Sequence, residues 1–368
     1  MAGFPFMRQA EAFLSSLPFI LLLVVFILPC PMSAAAKPRP AIAFVHLLLP
    51  PGGEPHASPA GWIGSLDRAR DTLESLRIPT IVSSASPGNA EDLNELSEMD
   101  PEVLITTSPL LYAAACDVAK RSPNTVFFAC TDETVHDNMS GFQARTYEAH
   151  YLAGLIAGAL SEDGVIGYLA NDPYQSKASR LRNANAFTLG AQKSKAAIRV
   201  LYAPGNDPDE ELKTLIAAGA DIVDLERALP SLVERLREHS VRYVGTAGRT
   251  VDPLCLAAPE WEWSNAFGDL LTQVRFGIWR PRNVSYGIKE GVVGLSPFGP
   301  PVPETVRVRV REAKEAIRNG ASPFEGPVRD VSGSLRIAEG SVPDDATLRG
   351  MDWRVQGLEP LPLTPDGL

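Results

Sequence analysis

The sequence predicts an α/β protein of two doubly wound parallel-sheet lobes joined by hinge crossovers. Three observations carry that prediction. Short apolar runs alternate with helix-length stretches in two consecutive series, the pattern that βαβ crossovers leave in a sequence. At 368 residues the chain is too long for one ordinary core and suits two. The run Val165–Ala170 is continuously apolar, as in a strand covered on both faces. Asn171, Asp172 and Pro173 follow at its carboxyl end, where open α/β sheets bind ligands.

In chain order, the first series begins with a strand over Ala41–Leu49 and a Pro- and Gly-rich loop over Pro50–Pro59. A helix is expected over Ala60–Leu76, a strand over Pro79–Ser83, a helix over Ala90–Met99 and a strand over Val103–Thr107. The helix Pro109–Lys120 and the strand Thr125–Ala129 complete it. A hinge crossing is expected near Phe142–Arg145. The next helix carries Tyr151, Leu152, Leu155, Ile156, Ala159 and Leu160 on one face. Ala149, Ala153, Gly154, Ala157 and Gly158 are interleaved with them, so that another backbone can approach closely. Asp163 and Gly164 stop it.

After strand Val165–Ala170 come helix Lys177–Ser194, strand Ile198–Ala203, helix Pro208–Ala218, strand Asp221–Asp224, helix Leu229–Glu238 and strand Tyr243–Thr246. A helix over Ser264–Trp279, a strand near Gly287–Leu295 and a helix over Glu304–Asn319 cross back between lobes. A Ser332-Gly333 turn between Val328 and Ile337 reads as a hairpin, and the Pro-rich end as loosely held. The expected lobes are thus 37–142 with about 252–284, and 143–251 with about 285–330, followed by a tail over 331–368.

Residues 1–36 read as a cleavable signal peptide: Arg8, an apolar stretch densest over Phe19–Leu28, and small residues before an expected cleavage at Ala36–Lys37. The uninterrupted apolar run is short for a bilayer span, and the residues before Cys30 lack the small side chains of a lipidation site. The mature chain is therefore expected outside the cytoplasm, without a membrane-spanning segment. A formal net charge of −10 excludes the basic face that nucleic-acid binding needs. Cys116, Cys130 and Cys255 have no metal-ligand spacing. Cys116 and Cys130 read as small buried core residues, with a bridge between them as the alternative. The five histidines are scattered, His150 reading as a half-buried helix residue. No nucleophile elbow, Walker loop, His-Glu-x-x-His or dinucleotide fingerprint occurs, so neither catalysis nor a cofactor is expected.

From Gly141 onward the chain resembles the basic-membrane-protein family of ABC transporter substrate-binding proteins. The segments that carry the resemblance are YEAHYLAGLIAGAL at Tyr147–Leu160, VIGYLA at Val165–Ala170, NAFTLGA at Asn185–Ala191, NDPDEE at Asn206–Glu211 and AAGADIV at Ala217–Val223. EWEW at Glu260–Trp263, GIKEGVVGLSPFGPPVP at Gly287–Pro303, PFEGPVRD at Pro323–Asp330 and MDWRVQG at Met351–Gly357 continue it in the family's order. The resemblance implies a type I periplasmic-binding-protein fold. It also implies a periplasmic receptor, acting as a monomer, that closes on a nucleoside or purine-like ligand and hands it to a membrane permease. A ligand sensor on the same fold, signalling to a membrane partner, is the alternative, and a secreted enzyme a third.

Nine residues are candidates for the ligand site. Trp62, Trp261 and Trp263 match the family's tryptophans, and indoles can stack on a planar base; the alternative for all three is core packing. For Trp263 the expectation is a ligand contact whose truncation leaves the fold intact. Ser108 and Thr131 follow strands and offer hydroxyls, although Ser108 also suits a helix N-cap. Asn171, Asp172 and Tyr174 occupy a strand-end loop, where Asn-Asp-Pro is also good turn chemistry. Asn185 lies mid-helix, where an asparagine needs a side-chain partner, either ligand or the other lobe. The chain departs from the family at Gly64 and Leu66, at Glu226-Arg227-Ala228 and at Thr246–Arg249. Arg227 and Arg249, if they face the cleft, favour an acidic or phosphorylated ligand; the alternative is a pair of solvated surface arginines.

Overall fold

A computed structural model describes residues 39–48, 61–86, 88–131, 133, 136–173, 175–245 and 252–362. The expected signal peptide, the Pro50–Pro59 loop, Tyr174 and the Thr246–Arg249 loop lie outside the described residues. Those from Arg39 onward fall in one compact unit. The first series runs β1 (Ile42–Leu47), α1 (Trp62–Ser75), β2 (Thr80–Ala85), α2 (Glu91–Ser97), β3 (Val103–Thr106), α3 (Tyr112–Ala119), β4 (Val126–Cys130) and β5 (Met139–Ala144). The second runs α4 (Tyr147–Leu160), β6 (Val165–Leu169), α5 (Lys177–Ser194), β7 (Arg199–Ala203), α6 (Pro208–Ala217), β8 (Ile222–Leu225), α7 (Pro230–Glu238), β9 (Arg242–Gly245) and β10 (Cys255–Ala257). The remainder is β11 (Pro259–Trp261), α8 (Ser264–Arg275), β12 (Asn283–Tyr286), β13 (Val293–Leu295), α9 (Glu304–Arg318), β14 (Val328–Arg329), β15 (Leu335–Ile337), α10 (Asp345–Arg349) and β16 (Leu358–Pro360).

Among the described residues these strands form two six-stranded parallel sheets, ordered β12-β5-β4-β3-β1-β2 and β10-β9-β8-β6-β7-β16. The two-lobe, doubly wound α/β architecture is the one the alternation predicts. Strands β1 and β3 are buried along their whole length, as the helices on both faces of a parallel sheet require. In each sheet the order reverses beside the first strand of its series, between β1 and β3 and between β6 and β8.

Helices α4 and α5 show why the small-residue face was written into the sequence. A β-carbon built at Gly154 would overlap the Phe187 carbonyl, one at Gly158 the Ala191 carbonyl, and one at Gly190 the Tyr151 carbonyl. Each obstacle is backbone and cannot rotate away. Gly154→Ala is therefore expected to destabilise by about 1–3 kcal/mol, the cost of overpacking, despite alanine's better helix propensity. Thermal unfolding of the variant checks this; an unchanged midpoint would mean that the two helices separate freely.

The lobe boundaries differ from the sequence reading in three places. β10 pairs with β9, so the return to the first lobe begins later than about 252. Of the strand expected near Gly287–Leu295 only the end, β13, is extended and pairs with β11, while β12, just before that range, joins β5 in the first sheet. Hydrophobicity alone does not bound so short a strand. The end of the chain is not loose either, because β16 adds an edge to the second sheet beside β7. The expected hairpin is present as β14–β15, and among the described residues no disulfide joins Cys116, Cys130 or Cys255.

Among the described residues the chain crosses between lobes after β5, after β11 and after β12, and the crossings are stitched together. Arg145 donates its backbone N–H to the Tyr286 carbonyl at 2.7 Å and its Nη1 to the Ser285 carbonyl at 2.8 Å. Its guanidinium also pairs with Glu148 at 2.7 Å and with Glu290. Ile288 N–H donates to Glu148 Oε2 at 2.7 Å, and Glu262 N–H to the Val292 carbonyl at 2.8 Å. The crossing expected near Phe142–Arg145 is made by Arg145 and Thr146, since Phe142 lies within β5.

Candidate functional site

Ligands of open α/β sheets sit outside the carboxyl ends of the strands, at the switch in strand order. In the first lobe that places Thr107 and Ser108, after β3, and the start of α1. In the second it places Ala170–Asp172, after β6, and Glu226 and Arg227, after β8. The connection from β5 to α4 joins these two edges. It leaves the first sheet at the carboxyl end of β5, and α4 starts near the carboxyl end of β6 because it runs antiparallel to that strand. A short crossover between carboxyl edges makes an interlobe cleft.

The first-lobe wall is aromatic. Trp62 opens α1 and is half-buried, its Nε1 donating to the Thr107 carbonyl at 2.8 Å. Its ring meets Trp263 edge to face at 5.3 Å and Trp261 at 5.8 Å, and lies over Phe142 at 6.5 Å. Behind it His46, 5% exposed, sits 3.3 Å from both Thr107 Oγ1 and Asp67 Oδ1.

The second-lobe wall is acidic and buried. Glu226 accepts from Tyr168 Oη at 2.8 Å, and its other oxygen lies 3.5 Å from the Asp172 N–H. Gln175 Nε2 donates to Asp172 Oδ2 at 3.2 Å. Asp224, fully buried, lies 3.0 Å from His150 Nδ1 through Oδ2. Burial pushes the Glu226 carboxyl up to about 7; His150 and the Tyr168 hydroxyl oppose the rise, while Asp172 and Asp224 add to it. For His150 burial works against the charge, but Asp224, with Glu226 and Asp172, holds the imidazole above its ordinary value. Burial, then Glu226, keeps the Tyr168 phenol well above its usual range.

The predicted site residues separate into those at the cleft edges and those drawn into the framework. Trp62, Ser108, Asn171 and Asp172 lie at the switch points, and Thr131 follows the neighbouring β4. Ser108 accepts the Leu110 N–H at 3.3 Å, as a cap does, and Thr131 Oγ1 accepts the Glu133 N–H at 3.1 Å. Asn171 clamps the adjacent strand end: its Nδ2 donates to the Arg227 carbonyl at 2.8 Å and its Oδ1 accepts the Arg227 N–H at 2.9 Å. Asn185 needs correction. Its Nδ2 donates to the Trp353 carbonyl at 2.8 Å and its Oδ1 accepts the Val355 N–H at 2.9 Å, so its partner is the C-terminal segment rather than a ligand.

Trp263 is corrected too. It is fully buried and stacked on Phe267 at 5.5 Å, with Tyr286 and Phe142 against it. Trp261, 6% exposed, donates Nε1 to Thr146 Oγ1 at 3.2 Å, which fastens a crossover. His150 is wholly rather than half buried, and with Tyr168, Asn183, Asp224 and Glu226 it makes a cluster that the sequence reading missed. The available signal was polar side chains inside otherwise apolar elements: Asp224 in β8 and His150 in α4.

Three comparisons bear on what the cleft belongs to. Residues 66–217 match the family model described as Bmp, ABC transporter substrate-binding protein PnrA-like. A purine-binding protein of Brucella abortus (strain 2308) is 28% identical over 344 residues, covering 89% of this chain and 95% of its own length. A Haloferax volcanii protein named for glucose binding in an ABC transporter is 28% identical over 307 residues, 77% of this chain and 78% of its own. An ABC transporter solute-binding protein from Conexibacter woesei superimposes with a TM-score of 0.59 at 17% identity, over 76% of this chain and 97% of that one. The structural likeness shows the fold, a two-lobe periplasmic-binding architecture. Among the described residues no helix is long and apolar enough to cross a membrane.

Proposed function

We propose that this chain, whose residues 66–217 match the Bmp family of ABC transporter substrate-binding proteins, captures a purine-like ligand between its lobes and delivers it to a membrane permease outside the cytoplasm. The observation that carries the ligand class is Trp62. An indole held by a 2.8 Å hydrogen bond to the Thr107 carbonyl, half-buried at a switch point, presents a fixed face to a planar ring. Offset stacking on such a face suits a base. The name of the Brucella relative supports the same class. The acidic second wall disfavours the phosphorylated ligand considered from Arg227 and Arg249. Closure about the stitched crossovers would hide the ligand from water and create a new surface for the permease.

The test is calorimetry of the purified protein with adenine, guanine, adenosine, guanosine and glucose. At least one purine or nucleoside is expected to bind, and Trp62→Ala to weaken it about tenfold or more, the loss that base–aromatic stacking carries. Trp62→Phe, which keeps a ring, should lie between. Binding of glucose alone would replace the ligand class and leave the substrate-binding reading standing.

A further inference from the structure

The second-lobe wall holds more buried acceptors than the protein supplies with donors. Asn183, 1% exposed on α5, donates Nδ2 to Gln175 Oε1 at 2.9 Å and stands 3.5 Å from Glu226 Oε1. Its own Oδ1 accepts nothing from the protein. Asp224 gives one oxygen to His150, and its Oδ1 has no partner either. Glu226 Oε2 has the 3.5 Å approach of the Asp172 N–H as its hydrogen bond. Buried acceptors left unpaired cost about as much as the bonds they lack, so an arrangement of them beside a ligand cleft is explained when the ligand brings the donors.

We propose that Glu226 and Asn183 form a donor-reading subsite that takes N–H or O–H groups of an uncharged ligand and turns away its phosphorylated form. The rejection follows from charge. Asp172, Asp224 and Glu226 share this wall, and two of the positive groups beside them are engaged with the protein. His150 pairs with Asp224, and Arg180 Nη1 is spent on the Ala170 and Pro204 carbonyls at 2.7 and 3.1 Å. A phosphate placed here would meet three carboxyl groups, and like charges at close range repel. Specificity then comes from polar groups that a wrong ligand would leave unpaired, a stronger discrimination than an apolar wall gives.

This inference rests on the purine reading of the cleft, and calorimetry separates the two. The probes are adenosine and adenosine 5′-monophosphate, against wild type, Glu226→Leu and Glu226→Gln. Wild type is expected to bind adenosine at least a hundredfold more tightly than the monophosphate. Glu226→Leu, which removes both acceptors at similar volume, should lose at least tenfold in adenosine affinity, and Glu226→Gln, which keeps one, should lose less. Equal affinities for the two probes, or unchanged adenosine affinity in the leucine variant, would overturn the subsite while leaving the purine reading intact. If wild type binds no purine or nucleoside at all, the purine reading fails and the subsite falls with it. Should Glu226→Leu not fold by circular dichroism, Glu226→Gln decides alone, with undiminished adenosine affinity counting against the proposal.

Discussion

Trp263→Ala is expected to lower stability by about 3–5 kcal/mol, the range for emptying a large aromatic site in a packed core. The ring is fully buried. It stacks on Phe267 at 5.5 Å and receives the edges of Trp62, Phe142 and Tyr286 between 5.2 and 5.7 Å. Phe267 carries the packing onward to Phe44 and Phe128. Truncation would leave a cavity bounded by rigid rings, which relax little. Denaturant midpoints measure the loss, and Trp263→Phe should recover most of it because the Nε1 of Trp263 has no partner to lose. A loss below about 1 kcal/mol, with weakened ligand binding, would instead return Trp263 to the cleft surface. Trp62→Ala is the contrasting variant, expected to move affinity more than stability.

Stability should fall as pH rises from about 4.5 to 8, opposite in sign to a protein held by paired surface carboxylates. Glu226 is raised to about 7 in the fold from an ordinary 4.5. Between those values the unfolded chain has released a proton that the folded one keeps, so unfolding becomes easier with each unit of pH. The difference corresponds to about 3 kcal/mol, lost as pH rises through the folded value. His150, raised beside Asp224, acts in the same direction: its contribution is complete below its ordinary value and is lost as pH passes its folded one. Asp330, pushed down to about 2 by Ser332 and then Arg336, acts oppositely, but in more acid solution. The groups facing Glu226 are Tyr168 from β6, Asp172 from the following loop, His150 from α4 and Asp224 from β8, with Tyr202 from β7 beyond Tyr168. Chemical denaturation at pH 5 and pH 8 checks the sign. Glu226→Gln should remove most of the slope, and a slope largely retained in that variant would assign the effect to His150.

The framework was legible where physics is local. Apolar runs of strand length placed β1, β3, β4, β6, β7 and β8, and the interleaved glycines of α4 announced the close approach of α5. The three-residue strands β10, β11 and β16 were not legible. Each is too short to show a period, and each is a strand because a neighbour's edge offers it hydrogen bonds. Trp263 misled for a related reason: an aromatic suits a core and a cleft equally well, and its own segment does not say which it meets.

The chain alone therefore specifies the two-lobe plan, since alternation of apolar runs and the spacing of small residues are encoded within single elements. The chemistry of the cleft was decided by the tertiary structure. His150 and Asp224 are 74 residues apart in sequence, and Glu226 meets Tyr168 across 58. Asn185 finds its partners about 170 residues away, in the C-terminal segment. A side chain's type states which bonds it can make, while burial and the groups folded against it decide its charge, its partner and whether any capacity is left for a ligand. In Asn185 that capacity is used up within the protein; in Asn183 and Asp224 an acceptor remains open.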